Sequence, residues 1–312
     1  MDEETGRNSF LMAYDEGRRR NATLAAELEK VAARRTSRSR PLTVNPRLPL
    51  PLSDDDMPLV TVSEPDITLP DLVLTAETSA ALDEIIREHR QKARLAAHGL
   101  RPRSRLLLAG PSGTGKTRTA EALAHALGVP IIKVRLAALV SSYLGQTARH
   151  LDRILEYARQ GSWVLSFDEI DMLAGEREVA DHGEMRRVAT VLLQQLEEYE
   201  SDNPVIATTN HATSLDAAIW RRFDEVLVYR NPTQSQITEV VQLKLRRASY
   251  KINKEIVARS LAGMSHAEVE RVCLDAMRQA ALSNHATITT SDLTEKAAAR
   301  KKRYKEAGKS QS

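Results

Sequence analysis

The run Gly110-Pro111-Ser112-Gly113-Thr114-Gly115-Lys116-Thr117 has the spacing G-x-x-x-x-G-K-[ST], and the chemistry of that spacing is phosphate binding. Its glycines let successive backbone N–H groups turn inward around phosphate oxygens, and a helix opening there adds a favourable dipole. Lys116 is then placed to reach the β- and γ-phosphates, and the Thr117 hydroxyl to ligate Mg²⁺. Farther along, the apolar run from Trp163 to Phe167 ends in the carboxylate pair Asp168-Glu169. Beside a phosphate loop, Asp168 would hold Mg²⁺ through its water shell and Glu169 would polarise an attacking water. Adjacent carboxylates with those two jobs imply hydrolysis of a nucleoside triphosphate rather than binding alone.

Two more candidates follow. Asn210 ends the strand-like run Val205-Ile206-Ala207-Thr208-Thr209. There it either positions the lytic water between Glu169 and the γ-phosphate or serves an ordinary strand-end turn. In Trp220-Arg221-Arg222-Phe223-Asp224, an arginine donated across a subunit interface would neutralise charge building on the γ-phosphate. A surface salt bridge is the plainer use of these arginines.

Such residues need strands that deliver them to one edge. Arg105–Ala109, Ile131–Val134, Trp163–Phe167, Val205–Thr208 and a weaker Val226–Tyr229 are short apolar runs, with helical stretches between most of them. The alternation predicts an α/β domain over 71–232, its parallel sheet covered on both faces. After Pro232 the strand signals stop. Helices near 233–247, 253–260, 265–282 and 291–304 predict a small all-α domain over 233–304, with a basic tail at 305–312. Cys273 shares an apolar helix face with Val269, Val272, Ala276 and Met277 and reads as core.

Upstream, seven of the twelve prolines fall between Pro41 and Pro70. Proline removes a backbone donor and fixes φ, so 41–70 reads as an extended acidic linker. Before it, residues 1–40 carry Leu24, Leu28 and Val31 at helical spacing. This piece is too small for a core of its own and should dock on a partner, a neighbouring subunit or the main domain.

Composition narrows the class. Hydrophobic residues make up 42% and charged residues 28%, ordinary for a chain with a real core. The single cysteine excludes an internal disulfide and a cysteine-built zinc site, which fits a cytoplasmic protein. No apolar stretch approaches a membrane span, and the acidic N-terminus has no signal-peptide core, so membrane and secreted classes are excluded. The net charge of +3 hides blocks: six basic residues and no acids from Lys30 to Arg47, then acids only from Leu48 to Ile86. Lys296 to Lys309 adds seven basic residues against Glu306. Such blocks read as solvated segments, or as contacts to nucleic acid or a partner.

Taken together, the order and spacing resemble an AAA+ ATPase over about residues 70–300. Gly110–Thr117 resembles Walker A, Val164–Glu169 Walker B, Asn210 sensor 1 and Arg222 an arginine finger. The resemblance implies MgATP, a P-loop sheet in the order 5-1-4-3-2, a C-terminal helical lid, and a homo-oligomeric ring, most often a hexamer. Within the superfamily the chain is similar to the group that remodels proteins. Tyr143-Leu144-Gly145 matches that group's aromatic–aliphatic–glycine pore loop, where an aromatic on a glycine-hinged loop grips any extended polypeptide. Departures are visible too. The R-x-G-R-F-D stretch is shortened to Arg221-Arg222-Phe223-Asp224, which leaves Arg221 without a counterpart, and Gln146 replaces the usual acid. Met264-Ser265-His266-Ala267-Glu268 replaces the familiar G-A-D, with no sensor-2 arginine.

At finer grain the chain resembles single-ring bacterial AAA ATPases encoded beside a subtilisin-like serine protease. The residues carrying this are Arg87–Leu100, the run from His182 to Arg187, and the contracted Arg-Arg-Phe-Asp. That implies a protein substrate, a separate protease partner, and a role in phage defence or plasmid exclusion. Two other readings stand beside it: a nucleic-acid motor or loader using the basic blocks, and an ATP-switched scaffold regulating a partner protease.

Overall fold

The short apolar runs become the strands of one sheet. β1 (Val60–Ser63), β2 (Arg105–Ala109), β3 (Ile131–Val134), β4 (Val164–Phe167), β5 (Val205–Thr209) and β6 (Glu225–Val228) stand in the order β1-β3-β4-β5-β2-β6. β2 to β6 are mutually parallel, and numbered among themselves they give the order 5-1-4-3-2. This is a computed structural model, and it describes residues 48–139, 144–171, 191–192, 194–211, 220–283 and 287–309. The N-terminal piece 1–40, Tyr143 and the run from His182 to Arg187 lie outside the described residues.

Strands buried on both faces explain the unbroken apolar runs. Leu106, Leu107, Ile131, Ile132 and Phe167 are all fully buried. α1 (Ala76–Arg90) and α3 (Lys116–Leu127) cover one face, where Leu82, Ile85 and Leu123 pack on Leu106, Leu108 and Ile206. Along the chain follow α2 (Lys92–Ala96), α4 (Leu136–Leu139) and α5 (Leu144–Arg159). Leu144 and Gly145 of the pore-loop triplet form the first turn of α5.

β1 corrects the linker reading. Val60 pairs with Val134 and Ser63 with Ile131 in an antiparallel ladder, adding a sixth strand at the edge. Pro58 and Pro65 bracket it; an edge tolerates proline because one side of the ladder needs no donor.

The C-terminal part holds α6 (Gln234–Leu245), α7 (Lys254–Leu261), α8 (His266–Leu282) and α9 (Thr290–Lys309). Ile237, Val241, Leu261, Val272, Cys273 and Leu293 form its core. Thr233, Asn253 and Ser265 cap the first three of these helices, Thr233 and Ser265 in capping boxes with Gln236 and Glu268. Two expectations change here. The region is not all helix, because β7 (Ser249–Lys251) and β8 (Thr287–Thr289) pair in parallel. The segment read as a tail continues α9 through Lys309. Among the described residues, no helix is long and apolar enough to cross a membrane.

Candidate active site

In a parallel sheet the strand ends open onto a crevice at one edge, and here β2, β4 and β5 deliver the chemistry. Gly110 leaves β2 with φ +151°, and a Cβ there would stand 2.2 Å from the Tyr229 carbonyl oxygen, so no side chain fits. Gly113 has φ +76°, and a Cβ would meet Ser265 Oγ at 2.7 Å. The loop therefore needs glycine for two reasons, sheet contact and lid contact. Lys116 is buried at the start of α3. Its ammonium donates to the carbonyls of Gly110 at 2.7 Å and Pro111 at 2.9 Å, and to Asn210 Oδ1 at 2.8 Å. Burial pushes its pKa below the usual lysine value, against the pull of Asp168, Asp171 and Glu169.

Thr208 organises the carboxylates. Its hydroxyl accepts from the Glu169 N–H at 2.9 Å and donates to Asp168 Oδ1. Thr117 Oγ1 lies 3.0 Å from both Asp168 oxygens, joining Walker A and Walker B directly. Glu169, two residues past the end of β4, holds φ +56°, a left-handed conformation uncommon outside glycine. Asn210 Nδ2 donates to Glu169 Oε1 at 3.0 Å, and its own N–H donates to Asp171 Oδ1 at 3.0 Å. One amide thus bridges the loop lysine and the second carboxylate.

The cleft between sheet and lid encloses about 230 Å³. Its lining includes the apolar side chains of Leu72, Val73, Leu74, Val240 and Leu243. The lid closes over the loop through Ala267 N–H to the Gly113 carbonyl at 2.9 Å. Arg118 pairs with Glu270 at 3.0 Å, and Arg246 with Asp71 at 3.0 Å. His266 also lines the cleft; neither ring nitrogen has a partner among the described residues, and burial lowers its pKa.

The model of the ATPase family associated with various cellular activities (AAA) matches residues 106–231. AAA family ATPase y4kL of Sinorhizobium fredii is 38% identical over 267 residues, covering 85% of this chain and 80% of that one. The chain belongs to the AAA family of ATPases. Two further relatives are longer proteins. Peroxisomal ATPase pex6 of Schizosaccharomyces pombe is 31% identical over 69% of this chain, which spans 24% of that protein. A proteasome-activating nucleotidase of Saccharolobus islandicus is 29% identical over 75% of this chain, which spans 62% of it. The solved FIGL-1 AAA domain shares the fold, with a TM-score of 0.63 over 84% of this chain and 92% of that one, at 23% identity.

As an AAA ATPase the protein hydrolyses ATP with Mg²⁺. The donor set fits both. One hydroxyl and one carboxylate, Thr117 and Asp168, suit a Mg²⁺ that takes its other ligands from water and phosphate. The glycine loop and Lys116, whose ammonium donates to carbonyl and amide oxygens, suit a polyphosphate.

The AAA fold thus brings Ser112–Thr117, Asp168, Glu169 and Asn210 into one cleft, with the Gly110 and Pro111 carbonyls accepting from Lys116. Arg222 is not among the residues lining it. Its Nε donates instead to Glu197 at 3.0 Å. Thr208, Asp171 and the lid residues His266 and Glu270 were not among the sequence candidates. Thr208 had a signal, a polar residue one step before the end of an apolar strand; His266 lay in the run that replaces G-A-D, while Glu270 had no signal, since its place depends on how the lid folds back.

Proposed function

We propose that this AAA ATPase assembles as a homo-oligomeric ring, a hexamer, that uses ATP hydrolysis to remodel or unfold protein substrates through a central pore. The observation that carries the reading is the sequence triplet Tyr143-Leu144-Gly145, whose last two residues begin α5, in a chain that has a full hydrolytic set and only 4% aromatic residues. Within the site, Lys116 and the loop amides would bind the phosphates, while Thr117 and Asp168 would hold a Mg²⁺ that would supply charge neutralisation. Glu169 takes the proton of the attacking water. Asn210 fixes the carboxylate's direction and reports the γ-phosphate through Lys116. Arg222 reaches a neighbouring subunit's γ-phosphate. The relative named a proteasome-activating nucleotidase supports a protein-directed role.

The finer part of the proposal is a separate protease partner of the subtilisin class, in bacterial defence against phage or plasmids. Its support is the resemblance at Arg87–Leu100 and at the contracted Arg221-Arg222-Phe223-Asp224. Glu169→Gln protein held in ATP should co-purify with that partner from its native host.

Tyr143→Ala tests the threading step. Basal ATPase should persist while protein-stimulated turnover and unfolding are lost; unchanged stimulation would sink the pore reading. A nucleic-acid motor is the weaker alternative because part of its basic block is spent inside the lid. Arg300 pairs with Asp275 at 3.1 Å, and Lys301 donates to the Ser260 carbonyl at 2.7 Å.

A further inference from the structure

We infer that Glu270 recognises the ribose of the bound nucleotide, reading its hydroxyls from the lid side of the cleft. The cleft is lined by two chemically distinct sets of side chains: Lys116, Thr117 and Asp168 suit phosphate, Val73, Val240 and Leu243 suit a base, and Glu270 lines it with them. In a nucleotide the sugar lies between phosphates and base. Glu270 is tied to a sequence neighbour of each set. Arg118, next in sequence to Thr117, pairs with it at 3.0 Å, and Lys244, next to Leu243, pairs with it at 2.8 Å.

The chemistry of Glu270 matches. A carboxylate is an acceptor with about four lone-pair sites, and vicinal ribose hydroxyls are a matched pair of donors. Two cations fix its direction without using all of that capacity, and its side chain keeps 20% of its surface exposed. Ribose reading of this kind depends only on ATP binding and is independent of what the ring acts on.

The test compares ATP with 2′,3′-dideoxy-ATP in competition against a fluorescent nucleotide. The wild-type protein should bind ATP about tenfold more tightly, the value of a hydrogen bond to a charged group. Glu270→Ala should bring the ratio near one, and Glu270→Gln, which keeps the shape, should cut it severalfold. Both variants also free Arg118 and Lys244, but that changes affinity for the two nucleotides alike and leaves the ratio untouched. Absence of discrimination in the wild type, or a wild-type ratio in either folded variant, overturns the assignment.

Discussion

Asn210 faces both sides of the reaction, with its oxygen on Lys116 and its nitrogen on Glu169. Removing it frees the carboxylate's direction while the glycine loop still holds the phosphates. Asn210→Ala should therefore lower the single-turnover hydrolysis rate about 10²- to 10³-fold, the cost of one preorganised polar group. ATP affinity, read by nucleotide competition, should move less than tenfold. A second residue-scale case concerns stability. Burial acts to raise the Asp224 pKa, but N–H groups of Ser104 and Arg105 at 3.0 and 2.9 Å and the Arg105 guanidinium at 2.9 Å hold the carboxyl below its usual range. A carboxylate with a depressed pKa stabilises the fold above its unfolded pKa and loses that contribution as pH falls through the folded value. Asp224→Asn should cost about 1–3 kcal/mol at pH 7 in denaturant melts, and the gap to wild type should close below about pH 4. Walker A, Asp168, Glu169 and Asn210 were legible because each depends on local spacing at a strand end. Glu270 was not, because its meaning comes from Arg118 and Lys244, far away in the chain.

Elements were legible where their pattern was long. β2 to β5 announce themselves as apolar runs between helices, which predicts a parallel sheet; their order comes from the family resemblance. β1 did not, because Val-Thr-Val-Ser sits among prolines and only its partner β3 turns an extended segment into a strand. β7 and β8 span three residues each, too few for any period to show. The strand assignment has a direct consequence. Val60 is fully buried. In a solvated linker Val60→Asp would cost nothing; in the sheet it forfeits a buried side chain and buries a charge, about 3 kcal/mol or more. Thermal melts and proteolysis between β1 and α1 should both register the loss. The lid makes a similar case. Ser265 caps α8 and lies against Gly113, so Ser265→Ala should remove about 1 kcal/mol from lid stability.

At the scale of the whole molecule, the open question is whether one subunit is a complete enzyme. The cleft of a single chain gathers the loop, both carboxylates and Asn210, yet Arg222 lies outside its lining. Its Nε is held by Glu197, its ion-pair partner among the described residues. An arginine fixed away from its own site suits a neighbour's γ-phosphate, and a ring supplies such a neighbour at every interface. Lys116→Ala subunits would lack nucleotide but still offer Arg222; Arg222→Ala subunits would bind nucleotide but offer nothing. Each variant alone should be nearly inactive. In an equimolar mixed ring, an active interface needs an Arg222→Ala subunit holding ATP beside a Lys116→Ala subunit, so about a quarter of interfaces should recover hydrolysis. Recovery on mixing requires action in trans, because no subunit in the mixture carries both residues. If mixing recovers nothing while wild-type subunits assemble and hydrolyse normally, Arg222 works within its own chain. In that case the Glu197 pair is a holding contact that must break before each turnover.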